Sequence, residues 1–165
     1  MKSRKSIATT RNGYEVFVDT VGSHAATHLA DDSDLLGLVV ELLSRTDIHG
    51  ENVAFEKNMG RVIGEMDLVE TDDTDEIIYA KRVNRENYTR FVRNRERAPT
   101  QYLTIILKKH DDGYELWSAW IGRLVPPFPG DDHERPESKD FWASHALVWG
   151  KQSTRKETIT DIQPW

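Results

Sequence analysis

The sequence predicts an α+β fold: N-terminal helices packed on an antiparallel sheet of about four strands, plus a C-terminal helix. Three observations carry this. Leu35, Leu36, Leu38, Val39, Leu42 and Leu43 recur at helical spacing. Residues 102–109 and 114–121 alternate on either side of Asp112-Gly113, the strongest hairpin signal in the chain. Beyond Gly50 the spacing changes from helical to alternating. A length of 165 residues suits one domain, 1–165, with 1–10 and 151–165 as loose tails.

The elements follow in order. Asn12-Gly13 marks a turn before a short strand at 14–18. A helix is expected over 23–30, and Asp32 or Ser33 caps a second, longer one through Leu43. Strands at 52–55, 61–70 and 75–82 come next, with Thr71-Asp-Asp-Thr74 as a turn. Asn84 caps a short helix holding Tyr88, Phe91 and Val92, which Ala98-Pro99 ends. In the hairpin, parity sets Leu103, Ile105 and Leu107 on one face and Thr104, Ile106 and Lys108 on the other, so both faces are partly covered. The strands at 76–82, 102–109 and 114–121 are expected in one antiparallel meander. Three prolines make 124–132 an extended loop on the sheet. Ser138 caps a last helix over 139–149, stopped by Gly150, and His145 among Trp142 and Trp149 reads as a packed histidine.

Composition excludes several classes. There is no cysteine, hence no disulfide or thiolate metal site, and no apolar run reaches the ~18 residues of a membrane span. Met1-Lys-Ser-Arg-Lys5 has no apolar segment after it, so the chain reads as a soluble cytoplasmic protein. Phosphate-binding, dinucleotide, nucleophile-elbow and EF-hand motifs are missing.

Charge is unevenly spread. Lys81, Arg82, Arg85, Arg90, Arg93, Arg95 and Arg97 against Glu86 and Glu96 give 81–97 a charge of +5, leaving −11 for the rest of a chain of net −6. Such a stretch serves either as a polyanion-binding surface or as a solvated face or strand edge guarded by charge. His24 and His28 stand at i and i+4 and would share a helix face. A metal would need further ligands that the sequence does not supply, so no metal is assigned. Acid–base work and incidental structural histidines both remain open.

Taken together, the elements resemble the metal-independent ribonuclease toxins of the barnase, EndoU, colicin and RelE type, over roughly residues 20–125. The Tyr102-Leu-Thr-Ile-Ile-Leu and Gly113-Tyr-Glu-Leu-Trp-Ser-Ala-Trp runs are similar to the last hairpin of those enzymes. The resemblance implies His24 or His28 as general base, with Lys81 or Arg85 beside the phosphorane. Thr104, Tyr114 and Ser118 would be hydroxyls on late strands. It implies no cofactor. Around that centre Arg82, Arg90 and Arg93 would hold phosphates of an RNA partner, and Tyr79, Tyr88 or Trp120 would stack an unpaired base.

A second class is a non-catalytic binding protein that uses 81–97 and the aromatic prolyl loop 124–130 to engage nucleic acid, a peptide or a partner protein. A third is an oligomerisation domain in which the basic stretch meets Asp72, Asp73 and Asp75 at a homo-oligomer contact.

Overall fold

The structure, a computed structural model, describes residues 4–19, 29, 33–150 and 154–165. Among them the elements run β1 (Arg4–Thr9), β2 (Glu15–Asp19), α1 (Ser33–Ser44), β3 (Asn52–Asn58), β4 (Gly64–Met66), β5 (Leu68–Glu70), β6 (Ile77–Arg82) and β7 (Tyr88–Val92). Then follow β8 (Ala98–Thr100), β9 (Tyr102–His110), β10 (Gly113–Ile121), α2 (Ser138–Ser144), β11 (His145–Val148) and β12 (Thr154–Thr160). The chain divides into two compact units: unit 1 is Met1–Gly64 with Thr100–Leu124, and unit 2 is Glu65–Pro99 with Val125–Trp165.

Unit 1 is a five-stranded sheet of order β1-β2-β10-β9-β3. Its pairings are antiparallel except β2 with β10, which run parallel. Leu35, Val39, Leu42 and Leu43 of α1 fall on one stripe and bury against Val16, Val18, Leu103, Ile105, Leu107 and Leu116. Each such side chain removed from water stabilises the unit by about 1.5–3 kcal/mol. After α1 the Arg45 and Thr46 amides donate back to the Leu42 and Leu43 carbonyls, closing the last turn.

A β-bulge between Leu116 and Ser118 decides what β10 shows on each face. In an unbroken strand Leu116 and Ala119 would point opposite ways. With one extra residue inserted, Tyr114, Leu116, Ala119 and Ile121 all join the α1 side, and Trp117 is left in solvent at 55% exposure.

Unit 2 is a second five-stranded sheet, β12-β6-β7-β11-β5, with β7 and β11 parallel and the other neighbours antiparallel. α2 runs straight into β11. Its Trp142 is fully buried, donates from Nε1 to the Pro126 carbonyl at 3.1 Å, and stacks on Phe128 with centroids 4.2 Å apart. The prolyl loop is thereby held against α2 by aromatic packing. β4 and β8 form a separate two-stranded ribbon.

These findings correct the expected fold class. The chain is mostly β, with three sheets among the described residues, and not a set of N-terminal helices on one four-stranded antiparallel sheet. The strand at 76–82 belongs to a different sheet from the 102–121 hairpin, and two pairings are parallel. The short helix expected after Asn84 is strand β7: Asn84 sits at φ +65 in a turn, while Thr89 and Phe91 alternate into the interior. The last helix stops at Ser144 because Ala146 and Val148 alternate into a core with Val69 and Val92. Residues 4–9 and 154–160, expected within loose tails, form β1 and β12. The helix expected over 23–30 lies outside the described residues apart from Leu29.

Candidate functional site

The basic stretch is largely answered by acids of its own unit. Arg95 contacts Asp75 at 3.2 Å, Arg97 contacts Asp67 at 2.8 Å, and Lys81 lies 3.9 Å from Glu86, which also meets Arg155. The Arg90 guanidinium donates to the Thr71 hydroxyl and the His145 carbonyl, bracing β7 to its surroundings. Arg93 lies 5.8 Å from the Trp149 ring. Among the described residues only Arg82, Arg85 and Arg93 of the seven cations lack an anionic or hydrogen-bonding side-chain partner. Four of the seven cations, Lys81, Arg90, Arg95 and Arg97, are therefore answered inside unit 2.

The expected base-stacking and hydroxyl residues are mostly engaged as well. Tyr79 is 5% exposed with its ring edge-on to Trp165, and Tyr88 lies under the Lys81 ammonium. In unit 1, Thr104 is fully buried and donates to the Gly122 carbonyl, and Tyr114 donates to Gly50. Ser118 is part-exposed just past the bulge, opposite Ile106. Trp120 donates from Nε1 to Arg123 O. Lys81 and Arg85 thus belong to unit 2, and Thr104 and Ser118 to unit 1; His24 and His28 lie outside the described residues. His145 stacks flat on Phe141, with Nδ1 3.0 Å from both Phe141 O and Ser144 Oγ, as a packed histidine should.

What the structure does gather lies on the unit 1 sheet face opposite α1. At one end Glu56 accepts two bonds from Arg123 and one from the Leu124 amide, while Arg123 covers the Tyr102 ring at 4.0 Å. Burial pushes the Glu56 carboxyl up, but the Arg123 and Leu124 bonds together outweigh it and hold the group below the usual carboxylate range. This end is internally satisfied.

Mid-face lies a concavity of about 320 Å³ lined by Asn52, Val53, Ala54, Ile106, Leu107, Lys108 and Trp117. Ala54 is exposed, so its small side chain leaves the floor open beside Ile106. Trp117 forms a wall, and the Lys108 ammonium stands 5.3 Å from its ring centroid. β3 has one strand neighbour among the described strands, β9, which leaves its other edge of backbone groups unpaired by a strand.

Towards the hairpin turn, His110 Nε2 lies 3.1 Å from Glu115 Oε1 without making an aligned hydrogen bond. Arg4 reaches His110 Nδ1 at 3.5 Å, pairs with Asp112 at 2.9 Å and covers the Phe17 ring. Glu115 is in register with Lys108. A carboxylate, an imidazole and a guanidinium in contact can move a proton and steady an anion.

The sequence reading missed Trp117, His110, Glu115 and Arg4. The signal for Trp117 was present, since a strand reading Tyr-Glu-Leu-Trp-Ser-Ala-Trp-Ile cannot bury Leu116 and Ala119 on one face without a bulge. No sequence signal joins Arg4 to His110.

Among the described residues no group of three or more His, Asp or Glu side chains is placed to hold a metal, and no helix is long and apolar enough to cross a membrane. Compared with family models, characterised proteins and solved structures, the chain finds no match.

Proposed function

We propose that this protein is a non-catalytic binding protein that docks an extended segment of a partner protein on the unit 1 sheet, along β3 and over the Trp117 concavity. The single observation behind this is Trp117 itself, 55% exposed beside an open apolar floor. An indole carries up to ~250 Å² of surface. Leaving over half of it in water forgoes on the order of 3 kcal/mol at ~25 cal/mol/Å². A partner that covers it recovers that energy, and Trp, with Tyr and Arg, is enriched among the central side chains that dominate interface energetics. A strand added to the edge of β3 sets a bulky side chain across Ala54 towards Ile106 and Trp117, and Lys108 favours an acidic residue next to it.

The test is fluorescence anisotropy with short labelled peptides that alternate Phe with Asp or Phe with Lys. The Phe/Asp peptide should bind more tightly. Trp117→Ala and Ala54→Arg, which remove the wall and fill the floor, should each weaken it at least about tenfold, the range for truncating a central interface side chain. Equal binding by the parent and Trp117→Ala would defeat the reading.

A second reading, metal-independent ribonuclease, is favoured by the contact of His110, Glu115 and Arg4 on the same face. Glu115 would take the 2′-OH proton, His110 would protonate the leaving oxygen, and Arg4 would steady the phosphorane. Cleavage of labelled RNA in excess EDTA decides it, comparing the parent with His110→Ala, Glu115→Gln, His24→Ala and His28→Ala. A general acid or base contributes ~10²–10⁴-fold, so loss of a true catalyst would be unmistakable. A parent that cuts no RNA leaves the binding reading alone.

A further inference from the structure

The opposite side of unit 1 carries a feature that the docking face does not use. A concavity of about 360 Å³ opens where α1 ends, lined by Arg11, Leu42, Arg45, Thr46, Asp47, Lys57, Asn58 and Met59. Three cations from three separate segments meet there: the turn after β1, the end of α1, and β3. We infer that it is a binding site for a small organic phosphate.

The charges around the hollow favour an anion. Arg11 is matched by Asp47 in a two-pronged contact at 2.9 and 3.1 Å. Glu41 gives both oxygens to Arg61 at 3.1 and 3.0 Å, and its approach to Arg45 is only 3.6 Å. Arg45 therefore keeps most of its donors. Lys57 makes no ion pair among the described residues. The lining thus holds Arg45 and Lys57 in excess, a surplus of two positive charges, from which the helix C-terminus subtracts roughly half a charge.

Local bonding removes the groups that would repel an anion. The Leu42 carbonyl already accepts from the Arg45 amide and the Thr46 hydroxyl, and the Leu43 carbonyl from the Thr46 amide. Asn58 uses its Oδ1 on the Gly60 amide, which leaves Nδ2 as a donor. A single exposed Lys on a strand needs no ligand, which explains Lys57 taken singly. It does not explain why Arg11 and Arg45 converge on the same hollow.

Size and floor specify the ligand further. The volume is at the lower end of the ~300–1,000 Å³ of small-molecule sites and leaves room beyond a bare phosphate. Leu42 and Met59 offer apolar surface for a sugar or a ring, while Lys57 and Arg45 take the phosphoryl oxygens.

The experiment is isothermal titration of the full chain with inorganic phosphate, ribose 5-phosphate and AMP, for the parent, Lys57→Ala, Arg45→Ala and, as a control from the other face, Lys108→Ala. The organic phosphates should bind the parent more tightly than inorganic phosphate. Each of Lys57→Ala and Arg45→Ala should weaken them about tenfold or more, the effect of removing a charge-assisted hydrogen bond, and Lys108→Ala should change nothing. No saturable binding by about 1 mM ligand, or binding unaffected by both variants, would overturn the site. Because Trp117 takes no part, failure here leaves the peptide experiment standing, and the reverse.

Discussion

Alanine in place of Gly113 would drive its Cβ into the backbone carbonyl of Glu15, inside the 3.0 Å that real Cβ atoms respect. Gly113 has φ +146, opens β10 and lies beside the parallel bridge that joins Tyr114 to Val16 and Glu115 to Phe17. Two costs follow. Holding an L-residue in that conformation costs about 1–3 kcal/mol. Backing the hairpin away from β2 breaks the bridge, at about 0.5–1.5 kcal/mol for each hydrogen bond lost. The expected total is about 2–5 kcal/mol, a large part of the ~5–15 kcal/mol by which domains are usually stable. Gly13 supplies the internal control: its φ is +94 but nothing lies within 4 Å of an added Cβ. Gly13→Ala should cost only the conformational strain, about 1–2 kcal/mol. Urea unfolding followed by circular dichroism gives both values from the midpoints. If Gly113→Ala costs no more than Gly13→Ala, the β2–β10 bridge does not hold Gly113 against the Glu15 carbonyl.

Four further outcomes are expected. Trp142→Ala should destabilise by about 3–5 kcal/mol, because a fully buried ring, its bond to Pro126 and its stack on Phe128 all go; a loss below about 1 kcal/mol in urea titration would contradict that packing. Arg95→Ala should cost about 1–3 kcal/mol, since the Asp75 side chain is 2% exposed and loses its cation. Arg85→Ala, in an exposed turn, should stay within about 0.5 kcal/mol by the same measurement. Glu56 has a depressed folded pKa, so its contribution is present above the unfolded value of about 4.3 and is lost as pH falls through the lower folded value. Glu56→Gln should therefore lower the urea midpoint at pH 7 and flatten the acid loss below about pH 4, and equal pH slopes in the two proteins would exclude the Arg123 clamp as its source.

Local patterns were legible where one face of an element decides burial. The α1 stripe of Leu35, Val39, Leu42 and Leu43 and the antiparallel hairpin around Asp112-Gly113 follow from period and turn chemistry, and both stand in the structure. Tyr88, Phe91 and Val92 misled because three apolar residues over five positions fit a short helix as well as a strand; only the partners on both sides of β7 separate the two. Residues 145–148 misled for the same reason, following α2 without a turn residue between. Sheet membership was not legible at all, since no local pattern states that β2 pairs β10 or β7 pairs β11. The charge of 81–97 was read correctly as a number, but its meaning depended on Asp67, Asp75 and Glu86 lying within reach. Arg4 and His110 stand at opposite ends of unit 1's sequence, so their contact is known only from coordinates.

The order in which the chain is made bears on the split of both units. When β3 leaves the ribosome at Asn58, the two strands that fill the centre of its sheet, β9 and β10, have not been translated. Residues 65–99 come next, and their sheet in turn lacks β11 and β12. A nascent chain therefore carries two unfinished sheets at once, with the apolar stripe of α1 short of its main cover. Folding of either unit waits on long-range pairing, the slow kind. Chaperone engagement should accordingly persist until Ile121 for the first sheet and Thr160 for the second have emerged.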